Sequence, residues 1–211
     1  MQRYLSAFCL AVIVSVACSS QAAPPQNATY DPETGRLQTL TADVNKNGTD
    51  DTVTYMDGAR ILRIELDLDE NGKVERWDFY GENGEVEKVG FSRLNDGVMD
   101  AQAFYDGAGV LARMDVSTRR DGTFDRIETY ERGVLTRSAD DTDGDGQADK
   151  WDDYAPVTAA GAEPEYAVTS TAFDDSGSGR PERRFVYGAG GRIERVELDP
   201  DGDGVFVSAR Q

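Results

Sequence analysis

Histidine is absent from the 211-residue sequence, and cysteine occurs only at Cys9 and Cys18. The first absence removes the commonest general base and the commonest transition-metal ligand. The second leaves everything from residue 19 onward without a thiol, so neither a disulfide framework nor a cysteine nucleophile is available there. No Ser/His/Asp or Cys/His set can be assembled. No phosphate-cradling glycine loop leads into a helix. Basic residues are also scarce: 22 Lys and Arg stand against 40 Asp and Glu, a net charge of −18. Such a chain repels phosphates, which excludes nucleic acid as a partner, and it attracts cations. Hydrophobic residues make up only 38%, so any core is thin.

The one extended apolar stretch is at the start. Arg3 precedes an uncharged, mostly apolar run from Tyr4 to Cys18, which is too short to span a bilayer. A basic beginning, a short apolar run and small residues behind it predict a signal peptide over residues 1–18. Two cleavage sites compete. Ser15-Val16-Ala17-Cys18 resembles a bacterial lipobox, with Ser15 where leucine is usual. It implies lipidation of Cys18, attachment to the membrane through the lipid alone and, with Ser19 next, an outer-membrane destination. The alternative is ordinary cleavage after Ser20-Gln21-Ala22, which gives a periplasmic or secreted protein. The lipoprotein is preferred. Residues 19–37 read as a flexible tether.

The rest of the chain is organised by a repeat. A glycine closes an acidic or polar loop at Gly48, Gly72, Gly97, Gly122, Gly146, Gly179 and Gly204, at intervals of 24, 25, 25, 24, 33 and 25 residues. The long interval is read as an inserted loop over residues 155–168. After each loop comes a short aromatic run such as Arg76-Trp77-Asp78-Phe79-Tyr80, then a Gly/Asn turn, then a second run. A tyrosine falls eight residues after the loop glycine at Tyr80, Tyr105, Tyr130, Tyr154 and Tyr187. Short β-branched and aromatic runs bounded by Gly, Asn and Asp are strand and hairpin chemistry, and a turn signal about every 12 residues leaves no room for helices. Residues 38–211 are therefore expected to be all-β, an antiparallel meander of about six to seven 25-residue β-hairpin repeats.

The loops carry the chemistry. The fifth, starting at Asp141, sets acids at positions 1, 3, 5, 9 and 12 (Asp141, Asp143, Asp145, Asp149, Asp152), with glycine at 6 and the Gln147 carbonyl at 7. Alternate residues around a tight turn aim oxygen donors inward, which suits a hard cation, Ca2+. Crowded carboxylates repel one another unless a cation sits among them. The second loop offers Asp67, Asp69, Asn71, Glu75 and Asp78; the first offers Asp43, Asn45, Asn47 and Asp51; the last begins Asp199, Asp201, Asp203. The third and fourth have Leu94 and Arg119 at position 3 and read as plain turns, which use the same residues without metal. The sixth, with Asp174, Ser176 and Ser178, is weak.

Each loop alone resembles an EF-hand loop, although its flanks are strand-like. Asp43-Val44-Asn45-Lys46-Asn47-Gly48 is more similar to the inter-strand calcium loops of FG-GAP and integrin-type repeats. Thrombospondin type 3 repeats share the acid spacing but need disulfides. The stretch from Tyr187 to Ile193 resembles YD-type repeats of bacterial surface proteins. Each likeness covers one loop or hairpin; the loop likenesses imply calcium binding there, and none fixes the overall fold. The expected role is structural or interactive, at the cell envelope, and not enzymatic. The alternative is a module for a glycan or protein partner, using the inserted loop or exposed aromatics. Trp77 and Trp151, five residues after their loop glycines, would form a sugar platform if exposed, but such residues are more often the packing core of the repeat. A carboxylate-dependent hydrolase ranks last.

Overall fold

A computed structural model describes residues 26–157 and 165–209. The signal segment and Cys18 lie outside the described residues. Fifteen strands make up the described chain. The first eight are β1 (Gln26–Tyr30), β2 (Leu37–Ala42), β3 (Thr52–Asp57), β4 (Arg60–Leu66), β5 (Arg76–Tyr80), β6 (Val86–Phe91), β7 (Ala101–Tyr105) and β8 (Leu111–Val116). They are followed by β9 (Arg126–Glu131), β10 (Val134–Asp140), β11 (Lys150–Val157), β12 (Glu165–Phe173), β13 (Arg183–Tyr187), β14 (Ile193–Leu198) and β15 (Val207–Ser208). Their order in the sheet is their order in the sequence, and every pairing is antiparallel. All substantial contacts are between consecutive strands. The expected meander is thus an open, single-layer sheet with β1 and β15 at its free edges.

Two boundaries differ from the sequence expectation. The tether does not extend to residue 37, because Gln26–Tyr30 pairs with Leu37–Ala42 as the first hairpin. Asp31 makes its turn: the carboxylate accepts the Glu33 and Thr34 amides at 3.0 and 2.7 Å, an Asx-type turn. The insert at 155–168 is not wholly a loop either. Ala155–Val157 pairs with Glu165–Ala167 and lengthens the β11–β12 hairpin. β10 pairs β11 only as far as Asp153, so Pro156 has a strand on one side only, an edge position that proline can occupy.

Without a second layer, a strand residue is covered only by its neighbours in the sheet. The register places Val89, Ala101, Ala103 and Val116 on one face, where Val89 and Ala103 are only 2% and 1% exposed. Farther along that face, apolar residues give way to charge. Arg126 meets Glu128 at 2.8 Å, Asp140 at 2.9 Å and the Tyr154 hydroxyl at 3.2 Å. The Tyr130 hydroxyl donates to Glu128 at 2.7 Å; burial, then this carboxylate, pushes its own ionisation well up. The opposite face carries Trp77 and a series of cross-strand cation–aromatic pairs: Arg63 over Tyr55, Lys88 over Phe79 and Arg113 over Phe104. These contacts cover ring faces that no opposing sheet can reach.

The repeated tyrosine has a structural meaning. The pairing register shifts at Phe79/Tyr80, Phe104/Tyr105, Asp153/Tyr154 and Val186/Tyr187. A bulge-like irregularity at these positions, near the end of β5, β7 and β13 and within β11, adds local twist, which a large open sheet needs.

Candidate cation-binding loops

Because the strands alternate in direction, all seven acidic loops lie along one edge of the sheet. They are residues 43–51, 67–75, 92–100, 117–125, 141–149, 174–182 and 199–206. One backbone scheme recurs. The amide of loop position 9 closes onto the carbonyl just before the loop, as in Asp51 to Ala42 (3.0 Å), Glu75 to Leu66 (2.9 Å) and Asp149 to Asp140 (2.9 Å). The carbonyl of position 9 then accepts the first amide of the next loop, as in Asp67 to Asp51 and Asp141 to Asp125, both 2.8 Å. The row of loops is therefore stitched together from first to last.

Two positions in every loop have left-handed backbone. Position 6 is always glycine, with φ from 79° to 103°. Position 4 is left-handed too, and in the first four loops it is Lys46, Glu70, Asn95 and Arg120, with φ from 50° to 64°. Glycine replaces them in the last three, at Gly144, Gly177 and Gly202. L-residues avoid this region, so those three glycines were the sequence signal for a special position 4. Its importance is positional: position 4 touches the preceding loop. The Glu70 carboxylate reaches the side-chain amides of Asn45, at 2.6 Å, and Asn47. Arg120 reaches back into the third loop.

Position 1 and position 9 carboxylates hold the loop backbone. Asp67 accepts the Asn71 and Gly72 amides at 3.1 and 2.9 Å, and Asp141 accepts those of Gly144 and Gly146 at 2.7 and 3.0 Å. Glu75 accepts the amides of Leu68 and Asp69, and Asp149 those of Thr142 and Asp143. Asp51 does the same for Val44 and Asn45 in the first loop. Burial alone would raise its pKa, but these amides and the Thr52 hydroxyl outweigh it and hold the carboxyl below its ordinary range.

In three loops the acids converge. Oxygens of Asp67, Asp69 and Glu75 lie within 4.8 Å of one another, as do those of Asp141, Asp143 and Asp149 and those of Asp199, Asp201 and Asp203. Within the described residues none of these nine carboxylates joins an ion pair. Asp145 stands outside its loop's group and caps the Gln147 amide at 2.7 Å. Asn71 sends its side-chain amide to the Asn95 carbonyl at 3.1 Å. The first loop has Asp43 and Asp51 holding backbone, with Asn45, Asn47 and Glu70 beside them. Gln147 directs its side chain toward Gly179 of the sixth loop.

The position-12 acids are not brought into the loops. Asp152 lies in β11, 2.6 Å from both the Lys150 ammonium and the Thr171 hydroxyl. Asp78 lies in β5, 2.7 Å from Arg76 Nε. A strand carries position 12 about 10 Å beyond position 9, onto a sheet face where it pairs with the base two residues earlier. The sequence held that signal: Arg76, Arg126 and Lys150 occur at position 10 where Asp78, Glu128 and Asp152 occupy position 12. Where position 10 is Ala101, position 12 is Ala103.

The third and fourth loops are more than plain turns. Both carboxylate oxygens of Asp96 accept from Arg120 Nη2, at 2.6 and 2.7 Å, and this hydrogen bonding holds its pKa down to about 2. A carboxyl depressed on folding favours the folded loop above its unfolded pKa, about 3.9, and ceases to do so as pH falls through the folded value. Carboxyl-carbon NMR of Asp96 should therefore show a titration midpoint near 2, restored to the ordinary range in Arg120→Gln. A wild-type midpoint of about 4 would contradict the contact.

No family model matches the sequence, and no curated protein matches it. Solved structures align with about half of the chain. S. aureus TarM aligns at 9% identity and TM-score 0.39, covering 49% of this chain and 19% of its own. An accessory secretory protein 1, 2 and 3 structure from Streptococcus pneumoniae aligns at 18% and 0.38, covering 50% and 19%. A GtfA/B complex aligns at 12% and 0.38, covering 54% and 21%. The chain spans about a fifth of the length of each. Likeness this partial carries no functional argument.

Proposed function

We propose that this chain is a calcium-binding β-repeat protein of the bacterial envelope, with a structural or interaction role rather than a catalytic one. Its export and its anchoring through Cys18 rest on the sequence of residues 1–20 alone. The observation that carries the calcium assignment is the contrast among carboxylates. Asp78, Asp115, Glu128, Asp152 and Glu197 on the sheet each have a basic partner, whereas the converging acids of the second, fifth and last loops have none among the described residues. Like charges held this close favour a cation among them, and an all-oxygen set without histidine or thiolate suits calcium. Asp67, Asp69 and Glu75, Asp141, Asp143 and Asp149, and Asp199, Asp201 and Asp203 are the residues that would hold it.

The test is calorimetric titration of calcium into the chain lacking residues 1–18. Binding with Kd of about 10⁻⁴–10⁻³ M is expected, the range of extracellular modules. Asp69→Asn and Asp143→Asn should each abolish binding at their own loop. Position 3 is the right place to cut, because Asp69 and Asp143 each accept only one amide of the loop backbone. Absence of saturable heat up to millimolar calcium would reduce the acidic loops to turns.

A further inference from the structure

The middle of the loop row is charge-balanced from within the chain. The fifth loop, residues 141–149, has four aspartates and no base, whereas the fourth, residues 117–125, has two aspartates and two arginines. The third has two aspartates and Arg93. Arg120 projects from the left-handed position 4 of the fourth loop and spans the gap to the third. Besides its contact with Asp96, its Nε donates to Asp100 at 2.8 Å. Asp96 and Asp100 are positions 5 and 9 of that loop. Asp100 is 0% exposed and also accepts the Arg93 amide at 2.9 Å, with Arg93 Nε at 3.2 Å. Arg93 returns the link, donating to the Ser117 carbonyl at 3.0 Å. In the fourth loop Arg119 lies 3.2 Å from Asp125 and 3.6 Å from Asp121, again positions 9 and 5. In both loops a guanidinium joins the two carboxylates, and two loops with serine at position 1 are closed without metal.

We infer that Arg93, Arg119 and Arg120 are the resident cations of the third and fourth loops, so that calcium orders only the flanking loops and its removal loosens the array on both sides of an intact centre. The calcium half of this inference rests on the function proposed above; the arginine half stands on the ion pairs. In a repeat array each unit contacts only its neighbours, so a centre that keeps its structure while the flanks open is physically available. A fully buried carboxylate such as Asp100 strongly resists losing its cation, because an unpaired buried charge is unfavourable.

Hydrogen exchange of the full chain, followed by mass spectrometry, tests both halves. In chelator, amides of residues 92–100 and 117–125 should exchange at least about tenfold more slowly than those of 67–75 and 141–149. Calcium at about 10 mM, above the expected Kd, should slow the second pair about tenfold and leave the first within about twofold. Arg120→Gln should open residues 92–100 in chelator, and calcium should not restore them, because Leu94 offers no ligand. Asp96→Asn, which breaks only one contact of Arg120, should give a smaller increase and guards against a misfolded first variant. Equal exchange of all loops in chelator, or no effect of Arg120→Gln, would overturn the inference. If Arg120→Gln opens the third loop but calcium protects no loop, the proposed function fails and the calcium switch with it, while the arginine closure holds.

Discussion

Melting curves recorded in calcium and in chelator should differ by roughly 5–10 °C. At a metal concentration 100 times Kd, one saturated site stabilises the folded chain by about 2.7 kcal/mol. Each kcal/mol moves the midpoint of a chain this size by roughly 2–4 °C. Three converging acid groups are available, and a net charge of −18 makes the metal-free edge self-repelling. Sodium chloride at matched ionic strength screens that repulsion but does not enter a site, so it should reproduce only a small part of the shift. The chelator curve should also be broader, because the flanks open before the arginine-closed centre and the transition is then not two-state. Coincident curves in calcium and chelator would remove calcium from the account of this protein.

Trp77→Ala should produce the largest loss of any single substitution on the sheet, about 3 kcal/mol, near the low end for truncating a buried large aromatic. The indole is only 9% exposed although no second layer covers it. Its cross-strand neighbours are Glu65 and Gly90, and a side chain at Gly90 would collide with Met99, 2.8 Å from the added carbon. Glycine thus leaves space that larger neighbours fill, and a cavity there has no facing sheet to collapse into it. Trp151, in the same repeat position but only half-buried, should lose clearly less when truncated. Chemical denaturation of the two variants checks the order. A loss below about 1 kcal/mol for Trp77→Ala would return the indole to the role of an exposed platform for a glycan, which its burial now argues against.

The repeat was legible from glycine spacing because position 6 tolerates no other residue at a φ of 79° to 103°. The strands were legible for the same reason in reverse, since short alternating runs between such turns can form nothing longer. The tether and the insert differ from expectation at their edges because Asn27 and Pro156 are residue types depleted in strands. Pairing with a neighbour overrode that preference at Gln26–Tyr30 and Ala155–Val157. Position 12 misled because an EF-hand-like pattern assumes a loop that continues to curl, whereas here Asp78 and Asp152 leave along straight strands.

By itself the sequence determined an all-β meander, the period of its units, the location of its acidic loops, the absence of histidine and the absence of a thiol from residue 19 onward. These follow from backbone conformational limits and side-chain inventory, which are local. Only the tertiary structure decided that the sheet stays open as one layer, that Asp141, Asp143 and Asp149 converge while Asp152 does not, and that Arg120 serves a loop about 24 residues before it in the chain, at Asp96. Those outcomes depend on which strand lies beside which and on where position 4 of each loop points, and sequence spacing alone does not encode either.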